Sequence, residues 1–230
     1  MIWRDLAGFF SPSECLICSQ ALQLGEQHLC FTCLGQLPRT FFWNWPQHPI
    51  QRPLKDSLPV EAMHNWLFFS EHNSVRPLVH RIKYQGGASL ASYLASQAAL
   101  EMGSGFLGVS PIFIPVPLHP AKWRQRGYNQ SLSLAQGLQQ VWGGSIEQRA
   151  LRRLRHTKTQ TGMNKEERKK NLSNAMAWNG IGAFAEEASA IVLVDDVLTT
   201  GATLGACWEV LPQPLKAKTQ VWTLAAAFGA

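Results

Sequence analysis

The hydrophobic pattern of this chain changes character near residue 62. Before that point apolar residues come in short clusters interrupted by Gly, Pro and paired cysteines. Beyond it, apolar runs of strand length alternate with stretches of helical period. Ala62 to Ser70 reads as a strand carrying Trp66, Phe68 and Phe69. Ser74 is placed to cap a helix in which Val75, Leu78, Val79 and Ile82 form an i, i+3, i+4, i+7 stripe, and Gly86-Gly87 breaks it. A second helix is predicted from about Ser89 to Met102, a short buried strand from Pro111 to Val116, and a helix from Asn129 to Val141. Ala190 to Val194 is a fully apolar strand and Val221 to Ala227 another, with a helix from Gly201 to Leu211 between them that stops at Pro212. Strands alternating with helices predict an α/β domain built on a doubly wound, mostly parallel sheet. The aromatic run Phe41 to Trp45 and the prolines at 46, 49, 53 and 59 mark a boundary, dividing residues 1–50, a small module and linker, from the sheet domain 51–230.

Composition narrows the class. The chain has 230 residues, 46% of them hydrophobic and 16% charged, which excludes a disordered chain. The uncharged run Met102 to Ala121 is broken by three glycines and four prolines, and no membrane insertion is expected. The apolar patch Leu6 to Phe10 is too short for a signal-peptide core. A cytoplasmic protein with reduced cysteines is the resulting expectation.

Four of the five cysteines fall in two matched knuckles, Cys15-Leu-Ile-Cys18 and Cys30-Phe-Thr-Cys33, eleven residues apart. Cys15, Cys18, Cys30 and Cys33 would place four thiolates around one point, which is what a structural zinc site requires. A disulfide pair and a redox dithiol are the alternatives, and a reducing compartment disfavours the first. Cys207 stands apart, at core spacing with Leu204, Trp208 and Leu211, and reads as a buried apolar thiol.

The most informative string is Ala190-Ile-Val-Leu-Val-Asp-Asp-Val-Leu-Thr-Thr-Gly-Ala-Thr203. A buried strand is expected to end in the adjacent carboxylates Asp195 and Asp196, followed by small and hydroxyl residues and a helix start. Ligands of open α/β sheets sit beyond the carboxyl ends of the strands. A helix N-terminus there suits a phosphate, helped by the hydroxyls of Thr199, Thr200 and Thr203 and by close backbone approach at Gly201. Two carboxylates beside a phosphate repel the ligand unless hydroxyls or a divalent ion intervene, so ribose hydroxyls with Mg²⁺ are the economical match.

At these residues the sequence resembles the type I phosphoribosyltransferases, whose signature joins an apolar strand, two acidic residues and a Thr/Gly-rich loop. More narrowly, it resembles the ComF/GntX family, linked to competence and DNA utilisation. Three further stretches carry the resemblance: Pro115 to Pro120 with Arg126-Gly-Tyr-Asn-Gln130; Thr157 to Gly162 with Arg168 and Asn171; and Ile82-Lys-Tyr84 with the glycine beyond. With the cysteine module it covers nearly the whole chain. Some relatives carry a further CxxC pair, which this chain lacks, so a single zinc is implied. The resemblance implies a ligand, phosphoribosyl pyrophosphate (PRPP), bound with Mg²⁺. Asp195 and Asp196 would be the catalytic acidic pair on the ribose hydroxyls. Thr199, Thr200, Gly201, Ala202 and Thr203 would hold the 5′-phosphate, and Arg126, Gly127 and Lys83 would approach the diphosphate. The reaction would be displacement of pyrophosphate at ribose C1.

The charge map agrees with an anionic ligand. Net charge is +6, and the segment Arg149 to Lys170 alone holds nine basic residues against Glu166 and Glu167. In type I phosphoribosyltransferases the corresponding region often closes over PRPP. Solvated surface and contact with a nucleic-acid backbone are the other readings of that segment. Three functions stay open at this point: a phosphoribosyltransferase-like enzyme, a PRPP- or nucleotide-binding protein without the chemistry, and an adaptor that binds single-stranded DNA. The family link also implies DNA-uptake proteins as partners.

Overall fold

The computed structural model describes residues 13–45, 47–154, 175–181 and 187–227. Its centre is a parallel sheet of five strands: β1 (Ala62–Phe69), β2 (Ile112–Pro115), β3 (Ser145–Ile146), β6 (Ile191–Leu198) and β7 (Thr219–Ala227). A separate antiparallel hairpin joins β4 (Leu151–Arg153) to β5 (Met176–Trp178). The helices are α1 (Phe31–Gly35), α2 (Val75–Tyr84), α3 (Ala88–Met102), α4 (Pro120–Arg126), α5 (Gln130–Trp142), α6 (Ala202–Glu209) and α7 (Gln213–Lys216). The expected α/β architecture is therefore present.

Alternation of side chains explains the layers. On one face Trp66, Phe113, Val192, Val194 and Trp222 pack against α2, α3 and α5. On the other, Met63, Ile112, Ile114, Ile191, Leu193 and Val221 pack against α6, α7 and the hairpin. The stripe Val75, Leu78, Val79 and Ile82 is fully buried, as its period predicts. The first face also carries the cysteine module: Cys15, Leu29, Cys30, Cys33 and Leu37 share one buried cluster with α2 and α3. Arg39 fastens this contact. Its Nη1 donates to the Leu37 carbonyl at 3.0 Å and to the Leu34 carbonyl, closing the end of α1, while its Nε reaches Glu101 Oε2 at 3.2 Å. The same carboxylate oxygen accepts the Trp66 indole N–H at 2.9 Å.

The sheet order is β1-β7-β6-β2-β3. From β2 the chain winds through α4 and α5 to β3 on one side; from β6 it winds through α6 and α7 to β7 on the other. The winding direction reverses between β2 and β6, which is the crevice where open α/β sheets bind ligands.

Two local expectations are corrected. The strand expected to end at Val194 continues to Leu198, with Asp195 and Asp196 inside it, because β7 keeps pairing: Asp195 lies opposite Thr223 and Leu198 opposite Ala226. It is β2 that stops, its last partner pair being Pro115 with Val194. Pro115 and Pro117 lack the N–H groups a longer ladder needs. Ser74 makes no capping bond; its backbone is already helical, and Asn73 Oδ1 instead accepts the Val75 N–H at 3.2 Å. Among the described residues, no helix is long and apolar enough to cross a membrane.

Candidate functional site

Because β2 leaves the sheet, β6 has an open edge from Asp195 onward, at the switch point. Val194 still accepts the Val116 N–H at 2.9 Å. Two residues on, the Asp196 N–H is taken by Asp195 Oδ1 at 2.9 Å, and the Val197 N–H by Asp196 Oδ1 at 2.7 Å. The Asp195 side chain thus satisfies the Asp196 N–H, on the edge of β6 that β2 no longer pairs, whereas Val197 lies on the β7 side. Ser131, in the first turn of α5, donates its hydroxyl to Asp195 Oδ1 at 3.1 Å. Lys83, near the end of α2, reaches Asp196 Oδ2 at 3.3 Å. Burial and the neighbouring Asp196 charge push the Asp195 carboxyl up to about 7, against the opposing pull of the Asp196 N–H, Ser131 and Lys83. A carboxyl poised in this way suits contact with neutral hydroxyls.

Further cations crowd near Lys83. Arg126 ends α4, where Gly127 turns the chain at φ +75°. Its Nη1 donates to Gln130 Oε1 at 2.9 Å, its guanidinium lies 5.1 Å from the Tyr84 ring centre, and its buried Nε has no hydrogen-bond partner among the described residues. Tyr128 donates its hydroxyl to the Ile82 carbonyl, holding α2 against this turn. Burial, then the charges of Arg126, Arg153 and Lys83, depress the basicity of Lys122. Such crowding of like charges is relieved by a polyanion. Beyond β6, Thr199 and Thr200 are exposed, and Gly201 opens α6 at φ +70°. A side chain at Gly201 would sit 3.3 Å from the methyls of Leu54, so residues 52–58 pack over the loop that Thr199, Thr200, Gly201, Ala202 and Thr203 form.

The cysteine module is a second centre. The sulfurs of Cys15, Cys18, Cys30 and Cys33 all lie within 4.8 Å of one another, and all four are free thiols. Cys18 Sγ and Cys30 Sγ are 3.8 Å apart. That equals the edge of a tetrahedron with bonds of about 2.3 Å, the zinc–thiolate distance. Cys15, although burial opposes its ionisation, is brought down to about 6 by the backbone N–H groups of Cys18, Cys30 and Ile17. Burial, and then the other cysteines, push Cys33 the opposite way. Only a cation lets all four ionise together, so this donor set is able to hold a metal such as zinc.

The structure brings together Lys83, Asp195, Asp196 and the loop that follows them, with Arg126 and Gly127 on the adjoining turn. The cysteine centre is built on other elements. Residues 155–170 of the basic segment, with Lys158, Lys165, Arg168, Lys169 and Lys170, lie outside the described residues, as do Thr157 to Gly162 and Asn171. His119 is a local hydrogen-bonding group, accepting the Ala121 N–H at 3.1 Å on Nδ1, and Cys207 is fully buried. Of the aromatic run, Phe41 and Trp45 are exposed, whereas Phe42 packs edge-on against Phe68. Ser131 was not anticipated; its position one turn into a helix that follows the β2 loop was the available signal. Helix α4 was missed because its seven residues carry no apolar stripe.

A parallel sheet that reverses its winding at an acidic pair, with a hydroxyl-rich helix start and a four-cysteine cluster, is the α/β class of fold expected from the sequence. No family model matches the chain. It is 30% identical over 226 residues to the DNA utilization protein YhgH of Shigella flexneri, covering 93% of this chain and 96% of that one. It is 31% identical over 220 residues to Competence protein F of Haemophilus influenzae, covering 93% and 84%. Competence protein ComFC of Bacillus subtilis is 26% identical over 209 residues. The chain belongs to the ComF/GntX family of DNA-utilisation and competence proteins.

Proposed function

We propose that this protein binds PRPP with Mg²⁺ at the β2/β6 crevice and acts in DNA utilisation in the cytoplasm, with single-stranded DNA as its macromolecular partner. One observation carries the reading: at the point where the sheet reverses, a hydroxyl-ready acidic pair is followed directly by a Thr/Gly loop, with cations crowded near Lys83. Asp195 and Asp196 take the ribose hydroxyls. Thr199, Thr200, Gly201, Ala202 and Thr203 take the 5′-phosphate. Arg126, with its spare Nε, Gly127 and Lys83 take the diphosphate. With Lys83 already on Asp196 and Asp195 held partly neutral, the pair is matched to hydroxyls, and Mg²⁺ belongs with the diphosphate, where it neutralises charge. Residues 1–50 form a structural zinc module and linker, and residues 51–230 the ligand domain. The names of the relatives, together with exposed aromatic rings beside Lys and Arg, support the DNA partner.

Calorimetry with PRPP and Mg²⁺ tests the reading. Saturable binding is expected, and Thr200→Ala should weaken it about tenfold, since a hydrogen bond to a charged group is worth about 1.5–3 kcal/mol. Folded protein that takes up no PRPP refutes it. Pyrophosphate release over a panel of nitrogenous bases then separates an enzyme from a binding protein.

A further inference from the structure

Arg126 and Asp195, a cation and an acid, are both anchored by the first turn of α5. Its opening residues, Gln130 and Ser131, are buried, although the helix farther along buries Leu134, Ala135 and Leu138. Buried polar side chains need partners. Gln130 Oε1 accepts from Arg126 Nη1 at 2.9 Å, and Ser131 Oγ donates to Asp195 Oδ1 at 3.1 Å. Successive residues of a helix point about 100° apart, so one turn supplies both directions. The turn is itself fixed. Asn129 Oδ1 caps it by accepting the Ser131 N–H at 3.0 Å, and Asn129 Nδ2 donates to the Val116 carbonyl at 3.1 Å, tying it to the end of β2. Two turns on, a side chain at Gly137 would lie 2.1 Å from the Ser92 carbonyl oxygen, so α5 rests directly on α3. Both anchors are neutral: an amide orients a guanidinium, and a hydroxyl a carboxyl, without cancelling charge. Among the described residues no ion pair joins Arg126 to Asp195 or Asp196. Asp195 Oδ1 accepts the Asp196 N–H at 2.9 Å as well as the Ser131 hydroxyl. The Arg126 guanidinium lies over the Tyr84 ring and its Nε has no partner among the described residues, so Gln130 is the acceptor that sets its direction.

We propose that Gln130 and Ser131 are positioning residues of the ligand crevice: Gln130 holds Arg126 for the diphosphate half of the ligand, and Ser131 turns Asp195 so that its Oδ2 meets the ribose hydroxyls. The inference rests on the PRPP reading above and names the residues that keep the two halves of that site apart. A cation and an acid in one poorly solvated crevice attract each other, and a direct Arg126–Asp195 pair would withdraw both from the ligand. Anchoring them to neighbouring residues of one rigid turn keeps them separate and at fixed spacing before the ligand arrives, which lowers the ordering cost of binding. Neither Gln130 nor Ser131 touches the ligand; each acts through the group it holds. Removing one anchor therefore harms one half of the ligand, whereas a residue that merely supports α5 would harm both.

The test is calorimetry on the full chain with Mg²⁺ and three probes: PRPP, ribose 5-phosphate and inorganic pyrophosphate, the last two also read as competitors of PRPP. Gln130→Met keeps the shape of the side chain and removes the acceptor. It should weaken PRPP and pyrophosphate about tenfold and leave ribose 5-phosphate unchanged. Ser131→Ala should weaken PRPP and ribose 5-phosphate about fivefold and leave pyrophosphate unchanged. Thermal melts verify that each variant is folded. If Gln130→Met is not, Gln130→Asn, which withdraws the amide by one methylene, takes its place with the same expected pattern. Equal losses for the two half-ligands, or no loss, in either variant overturn the positioning assignment and leave PRPP binding standing. Wild type that takes up PRPP while neither half-ligand competes at millimolar concentration overturns it as well. Folded wild type that binds none of the three probes overturns the PRPP reading itself.

Discussion

Replacing Asp195 by Asn removes the one ionisation that the crevice works hardest against. In the folded chain the carboxyl titrates near 7 rather than at its ordinary 3.8, chiefly through burial and then the charge of Asp196. The folded state therefore holds a proton that the unfolded state has released between those two values. Over that window stability falls as pH rises; the contribution is complete below the unfolded value and lost above the folded one. Each pH unit separating the two values is worth about 1.4 kcal/mol, which sets a ceiling of about 4 kcal/mol; partial solvent access to the residue brings the expected cost to about 2 kcal/mol by pH 8. Asn keeps the shape and cannot ionise. His28, His48 and His64 act oppositely, because burial lowers their basicity and favours the fold as pH rises. The quantity to measure is therefore the difference between variant and wild type. Denaturant melts of both proteins at pH 5, 6, 7 and 8 should show Asp195→Asn gaining on wild type as pH rises, while its PRPP affinity drops. A difference in stability that stays constant from pH 5 to pH 8 would refute the reasoning.

Cys30→Ser should release the metal as read by elemental analysis, and should also loosen α1, whose Cys33 N–H is capped by Cys30 Sγ at 3.4 Å; protease sensitivity confined to the N-terminal module is the expected pattern. Gly201→Ala puts a side chain at φ +70° and against Leu54, so thermal melts should show a loss of about 1–2 kcal/mol and calorimetry weaker PRPP binding. Lys83→Met strips Asp196 of its ion pair at 3.3 Å; with Lys83 a quarter exposed, a loss of about 1–3 kcal/mol in denaturant melts is expected, and the Asp195 titration, followed by NMR, should move higher still because Lys83 is one of the groups holding it down.

Much of this architecture is legible in the sequence, for identifiable reasons. The buried stripe of α2 and the apolar strands are strong periodic signals, and burial alone decides them. The cysteine spacing specifies a four-sulfur centre without any knowledge of the fold. The limits of the acidic strand were misread because composition records where apolar side chains stop, whereas a strand stops where its partners stop. Asp195 and Asp196 stay in β6 because β7 runs alongside them, a pairing between residues far apart in the chain. Helix α4 escaped for the opposite reason. It is held by Pro120 at its first turn, by the His119 cap and by Gly127 at its end, none of which makes an apolar stripe.

Helix α2 links features that the sequence presents as unrelated. One face is buried in the cluster that contains Cys15, Cys30 and Cys33, so the four-cysteine module is part of the surface on which the helix rests. Its C-terminal turn sets Lys83 on Asp196, offers the Ile82 carbonyl to Tyr128 and places Tyr84 under Arg126. A helix with ends at two sites moves as a unit, since its hydrogen-bonded turns are stiffer than the contacts around it. Loosening the cysteine cluster therefore lets the Lys83 end shift by the same rigid displacement, and a 3.3 Å ion pair is sensitive to a shift of one ångström. The module needs no contact with the ligand to affect it. Its buried contacts help set the height and tilt of the helix that carries Lys83 to the acidic pair.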